Sequence, residues 1–165
     1  MKIIAMFWLL FVLLAPACAA AVEVESPKAC QLCGMDRTAF AHSRMLIIYA
    51  DGTTMGTCSL HCAAEELQQN PAKSVRALLV ADYLTKELID AKTATWVVGG
   101  QRPGVMTALA KWAFAEAEEA GKFMAANGGM INSFTQALNA ATLEVLAQAE
   151  EDRAVERELL RQLQL

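Results

Sequence analysis

Four cysteines carry the chemistry this sequence can do. Cys30 and Cys33 form a C-x2-C pair, Cys58 and Cys62 a C-x3-C pair, and 24 residues lie between the pairs. Two close pairs separated by a hairpin suit one soft metal ion, because a turn and a helix start can converge around it. His61, between Cys58 and Cys62, is an alternative ligand. With Ser59 as the helix cap, Cys62 takes the third helical position, where unpaired backbone N–H groups favour a thiolate. Covalent haem attachment requires His after the second cysteine of C-x2-C, and residue 34 is Gly. A thioredoxin-like redox pair opens an amphipathic helix, whereas Gly34–Met35–Asp36–Arg37 starts no helical period. Structural disulfides stay open, in any of the three pairings that four cysteines allow.

Methionine separates the metals. Met35 follows Cys33 by two residues, close enough to share one ion. Zn(II) rarely takes a thioether, while Cu(I) favours thiolate with thioether. Met45 and Met55 on strands and Met124 on a helix read as core filler. Met106 follows Gly99–Gly100 and Pro103–Gly104 at the end of a turn-rich loop, where its side chain can face a site or pack inward. His42, before the first strand, is a minor candidate.

The elements that must position these residues follow from the local patterns. Met45–Ala50 is a strand, Asp51–Gly52 a hairpin turn and Thr53–Thr57 the return strand. Ser59 caps a helix to about Gln69, which Asn70–Pro71 ends, and Val75–Tyr83 is a nearly all-apolar strand. A similar order recurs. Thr93–Val98 is a strand, Gly99–Gly100 a turn, Met106–Ala113 a strand or a buried helix, Glu116–Asn127 a helix stopped by Gly128–Gly129, and Met130–Phe134 a closing strand. The expected class is therefore α+β, with two strand–strand–helix–strand (ββαβ) units. Thr135–Leu165, without Gly or Pro, continues as a C-terminal helix packed in parts.

The N-terminal segment leads to the expectation that the mature domain lies outside the cytoplasm. Hydrophobic residues make up 55% and charged residues 19%, which excludes extended disorder. Lys2, the uncharged Ile3–Leu14 and the small Ala15–Pro16–Ala17 read as an export signal, since a lasting membrane helix needs roughly 20 apolar residues. A short retained anchor is the alternative. The segment Leu14–Cys18 resembles a lipobox and makes Cys18 a lipidation site; cleavage after Ala17 or within Ala19–Ala21 without lipidation is the other outcome. The division expected is 1–17 signal, 18–29 tether, 30–140 metal-binding domain and 141–165 helical extension. Loss of Lys2 makes the formal charge one unit more negative than −4, and no Lys/Arg cluster exists to bind nucleic acid.

Several spaced segments resemble the NosL family: Cys30–Met35 (CQLCGM), the strand ending at Asp51–Gly52, Cys58–Cys62 (CSLHC), Val80–Ala91 (VADYLTKELIDA), Trp96–Gly100 (WVVGG), the Met106 loop and Lys122–Gly129 (KFMAANGG). The resemblance spans about residues 28–135. NosL-like proteins are accessory lipoproteins of nitrous oxide reductase. The resemblance implies two related ββαβ halves, a fold shared with organomercurial lyase, and periplasmic delivery of Cu(I) to the copper enzyme or its assembly machinery. It implies Cys33, Met35 and Met106 as copper ligands, although the family's Pro-Met-Gly is here Val105–Met106–Thr107. Two other functions compete. One is a structural Zn(II) module of treble-clef type, held by Cys30, Cys33, Cys58 and Cys62. The other is an enzyme cleaving carbon–metal bonds, for which Asp36 is the only acidic residue close to the first cysteine pair.

Overall fold

Alternation in the first strand sets the pattern for the fold. In the computed structural model, which describes residues 24–163, β1 (Met45–Tyr49) buries Met45, Ile47 and Tyr49 and turns Leu46 and Ile48 outward. The expected signal segment and Cys18 lie outside the described residues. Asp51 accepts hydrogen bonds from the Thr53 amide at 2.9 Å and its hydroxyl at 2.7 Å, and Gly52 takes φ +87°, so the chain reverses into β2 (Thr54–Thr57). Helix α1 (Leu60–Gln69) follows, and β3 (Val75–Ala81) returns on the far side of β1. β2 and β3 both run antiparallel to β1, hence parallel to each other, and that relation needs a crossover element such as α1.

The second half repeats this plan with β5 (Thr95–Val98), β6 (Lys111–Phe114), α2 (Ala117–Asn127) and β7 (Met130–Asn132) in the order β6-β5-β7. A short strand, β4 (Leu88–Asp90), extends the first sheet to β2-β1-β3-β4. The expected pair of ββαβ units with a C-terminal helix is therefore present. Local differences have physical causes. β3 stops before Tyr83 because the Asp82 carboxylate accepts the Leu84, Thr85 and Ala115 amides and bends the chain. β4 escapes the turn signals because Lys86, rather than Gly or Asn, holds the left-handed position (φ +68°) before it. The segment expected from Met106 onward as strand or helix is loop until Lys111, and all four residues of β6 are buried, which removes any alternation.

Gly100 makes a close crossing at the end of β5. It has φ +96°, and a Cβ there would lie 2.7 Å from the Asn127 carbonyl oxygen and 3.0 Å from that of Gly128. Gly100→Ala is expected to destabilise the protein by about 1–3 kcal/mol through backbone strain and overpacking. Urea denaturation measures this, and a loss below about 0.5 kcal/mol, the scale of an ordinary surface change, would contradict the close crossing.

The two halves share β5. Trp96 and Val98 enter a core built with Met45, Ile47, Leu60, Leu78 and Val80, while Val97 faces a second core with Trp112, Phe114 and Phe123. Cys30, Cys58 and Cys62 belong to this second core, although the chain delivers them from the first half. Helix α3 (Phe134–Leu163) starts at a capping box, in which the Gln136 side chain accepts the Ser133 amide at 2.8 Å and the Ser133 hydroxyl accepts the Gln136 amide at 3.3 Å. It buries Phe134, Ala137 and Ala141, packs along α1, and runs exposed through its last turns.

Arg37 ties the N-terminal segment to the body. Wholly buried, its guanidinium donates to the carbonyls of Glu25 (3.1 Å), Pro27 (2.6 Å), Met45 (3.0 Å) and Thr57 (3.2 Å), and pairs with the Glu25 carboxylate. Arg44 binds the other Glu25 oxygen at 2.9 Å. Val24 is buried as well, so residues 24–28 pack on the domain.

Candidate metal centre

The first cysteine pair sits on a tight knuckle. The Gly34 amide donates to the Cys30 carbonyl at 2.9 Å and the Cys30 amide to the Met35 carbonyl at 2.8 Å, with Gly34 at φ +80°, a backbone that L side chains rarely adopt. Two bonds seat the knuckle on the hairpin: Gln31 N to Gly56 O at 3.0 Å, and Gly56 N to Gln31 Oε1 at 2.7 Å. Cys58 follows β2 directly, and Cys62 lies in the first turn of α1. Knuckle, hairpin and helix start thus bring the four sulfurs within 4.8 Å of one another.

The distances decide what these sulfurs can do. Cys33 Sγ lies 3.6 Å and Cys62 Sγ 3.7 Å from Cys58 Sγ. A disulfide requires about 2.0 Å, and all four are free thiols. A tetrahedral thiolate site with metal–sulfur bonds of about 2.3 Å has sulfur–sulfur edges of about 3.8 Å. The donor set therefore fits a single soft ion. Cys30, Cys58 and Cys62 are buried, whereas Cys33 is exposed. The site is anchored on three sides and open on one.

Proton sharing within the cluster differs from the expectation at Cys62. Hydrogen bonds from Cys62 above all, and from Cys33, Cys30 and Ser59, lower the Cys58 thiol to about 6 against the opposing effect of burial. Cys62 moves upward, because it donates to Cys58 and because it is buried. Although the Cys33 residue is exposed, partial burial of its sulfur pushes the thiol up to about 11, against the Met35 amide that donates to it. Position at the helix start favours a thiolate at Cys62, whereas the flanking thiols of Cys33 and Cys62 lower the Cys58 thiol. Metal binding must displace the remaining thiol protons, so it strengthens as pH rises.

The other expected ligands lie at different depths. Met35 is half-buried against the core that holds Cys30, Cys58 and Cys62. Met106 is 44% exposed and has φ +58°, a left-handed backbone costing a non-glycine residue about 1–3 kcal/mol. Its neighbours Val105 and Thr107 line one crevice together with Ser59, Leu60 and His61, so the Met106 loop reaches the helix start that carries Cys62. His61 stands outside the four-sulfur group; its Nδ1 is buried without a partner among the described residues, and burial holds its pKa below the usual range. His42 packs against Tyr83 and Trp112, with ring centroids at 5.7 and 5.4 Å, as part of an aromatic wall. Met45 is core; Met55 and Met124 are half-buried packing residues. Asp36 is committed to the Thr38 amide at 2.7 Å as a local turn.

Three residues beside the site escape the sequence reading: Thr107, Lys111 and Glu144. Lys111 Nζ is buried and lies 2.5 Å from Glu144 Oε2, and the Thr107 hydroxyl lies 2.6 Å from the same oxygen. A lone lysine inside the apolar run Met106–Phe114 was the available signal, since a buried cation requires a partner.

Comparison with known proteins agrees with this architecture. The crystal structure of the copper chaperone NosL from Shewanella denitrificans superposes with a TM-score of 0.55 at 22% identity, over 70% of this chain and 92% of that one. No curated protein sequence matches. The model of the NosL family matches residues 21–142, which takes in the knuckle, both cysteine pairs, both ββαβ units and the first turns of α3. On that match over most of its length, this chain belongs to the NosL family.

Proposed function

We propose that this protein is an extracytoplasmic Cu(I) chaperone that delivers copper to an exported enzyme, nitrous oxide reductase, directly or through its assembly machinery. The observation that carries this reading is a convergent four-sulfur site whose one exposed member, Cys33, stands two residues from the Met35 thioether. A carrier must hold its cargo firmly and still admit an incoming ligand. Three buried cysteines supply the hold, and Cys33 supplies the point of entry for an acceptor's sulfur or imidazole. Copper then moves by ligand exchange, with no change of oxidation state. Acylation of Cys18 would keep the carrier at the periplasmic face of a membrane. Met106, from the second ββαβ unit, completes the soft ligand set in this reading.

The 3.6 and 3.7 Å sulfur separations also favour a second reading, a structural Zn(II) site of four thiolates. Anaerobic titration of the reduced protein with Cu(I) and Zn(II), followed by competition and metal analysis, separates the two. Cu(I) is expected to displace Zn(II) completely, because thiolate with thioether suits the softer ion. Retention of Zn(II) in the presence of excess Cu(I) would establish the structural module instead.

A further inference from the structure

The loop that carries Met106 has no strand partner over residues 101–110 among the described residues, and hydrogen bonds hold it at both ends. At its entry, the Gln101 amide donates to the Asn127 carbonyl at 2.8 Å, at the end of α2. Near its exit, the Ala110 carbonyl accepts the Gly99 amide at 2.8 Å, and the remaining bonds converge on one carboxylate of α3. Glu144 Oε2 accepts from the Thr107 hydroxyl at 2.6 Å and from Lys111 Nζ at 2.5 Å, and Oε1 accepts the Leu109 amide at 3.2 Å. Lys111 Nζ spends its other donors on Thr107 Oγ1 at 3.1 Å and the Leu109 carbonyl at 2.7 Å. Its side chain is only 1% exposed, so the ammonium has no recourse to water if Glu144 is withdrawn.

The residue next to this knot is Met106, whose left-handed backbone must be imposed by its surroundings. Glu144 lies beyond the span that matches the NosL family and about a third of the way along α3, the helix that packs along α1. One helix therefore touches both the element that carries Cys62 and the loop that carries Met106.

We propose that Glu144 is a positioning residue for copper binding: it fixes the Met106 loop against the four-cysteine site through Thr107, Leu109 and Lys111. The proposal rests on the Cu(I) reading above, with Met106 as a ligand. It gives the C-terminal helix a part in the metal site, joining the two ββαβ units on the side where the cargo is held.

A double-mutant cycle on the full mature chain tests it. Cu(I) affinity is measured anaerobically by competition with a chromogenic chelator in wild type, Glu144→Gln, Met106→Leu and the double variant. Glu144→Gln keeps the shape and removes the charge; it is expected to weaken Cu(I) binding about tenfold, the lower end of losses for supporting residues of a metal site. The double variant is expected to bind no more weakly than Met106→Leu alone, because the carboxylate acts through Met106. Zn(II) affinity, which needs only the four thiolates, should stay at the wild-type value in Glu144→Gln, whereas a general structural defect would lower it. If Glu144→Gln does not fold by circular dichroism, Thr107→Val, which removes one hydroxyl and leaves the Lys111–Glu144 pair, takes its place. Additive losses in the cycle, or unchanged Cu(I) affinity in Glu144→Gln, would overturn the positioning role while leaving the chaperone reading intact. Failure of the wild type itself to bind Cu(I) would overturn both.

Discussion

Cys58→Ser is expected to reduce Cu(I) affinity by more than the 10–100-fold typical for loss of an outer-shell residue, since in the proposed four-sulfur site it removes a ligand outright. Cys58 has its sulfur within 3.7 Å of those of both Cys33 and Cys62, and it is fully buried. It is also the thiol held lowest, at about 6, so it is the readiest thiolate near neutral pH. A serine hydroxyl at the same place is hard and stays protonated, and a buried position gives water no easy access as a substitute. Cys33→Ser should cost less, because Cys33 faces solvent and an external ligand can occupy its place. Competition titration with a Cu(I) chelator gives both numbers, with circular dichroism to confirm folding. A Cys58→Ser protein that binds Cu(I) within tenfold of wild type but loses Zn(II) would confine copper to Cys33, Met35 and Met106.

The largest loss of stability is expected from Arg37→Met. The aliphatic stem is kept, while the guanidinium that satisfies four carbonyls and the Glu25 carboxylate is lost. Removing one partner from a buried, hydrogen-bonded ion pair costs about 3–5 kcal/mol, because the remaining groups lose their partners without regaining water. Glu25 retains Arg44, and it is 26% exposed, which places the expectation toward the lower end of that range. The effect should reach the metal site as well. Arg37 follows the Ala29–Asp36 bridge that closes the knuckle, and its guanidinium occupies the space where a Cβ on Gly56 would lie, 2.7 Å from Nη1. Loosening it frees the hairpin surface on which Gln31 sits. Urea denaturation of the metal-free protein gives the stability change; a shift below about 1 kcal/mol would show that water replaces the guanidinium.

Much of this molecule is legible from short stretches of sequence. Asp51–Gly52 marks the hairpin, Asn70–Pro71 the end of α1 and Gly128–Gly129 the end of α2, because each depends on local backbone preferences, and the two cysteine pairs flanking the hairpin mark the convergence of four sulfurs. Tertiary structure decided the rest. β5 serves two cores at once, so the cysteines of the first unit pack against Trp112 and Phe114 of the second. The Cys33 and Cys62 sulfurs beside Cys58 lower its thiol, an effect that position in the helix does not reveal. The sequence marks Lys111 as a cation in need of a partner but does not name the partner, and the partners of Arg37 and Glu144 lie up to 37 residues away or on another element. The energy of a buried charge depends on which groups the fold brings within about 3 Å of it, and spacing along the chain does not encode that distance.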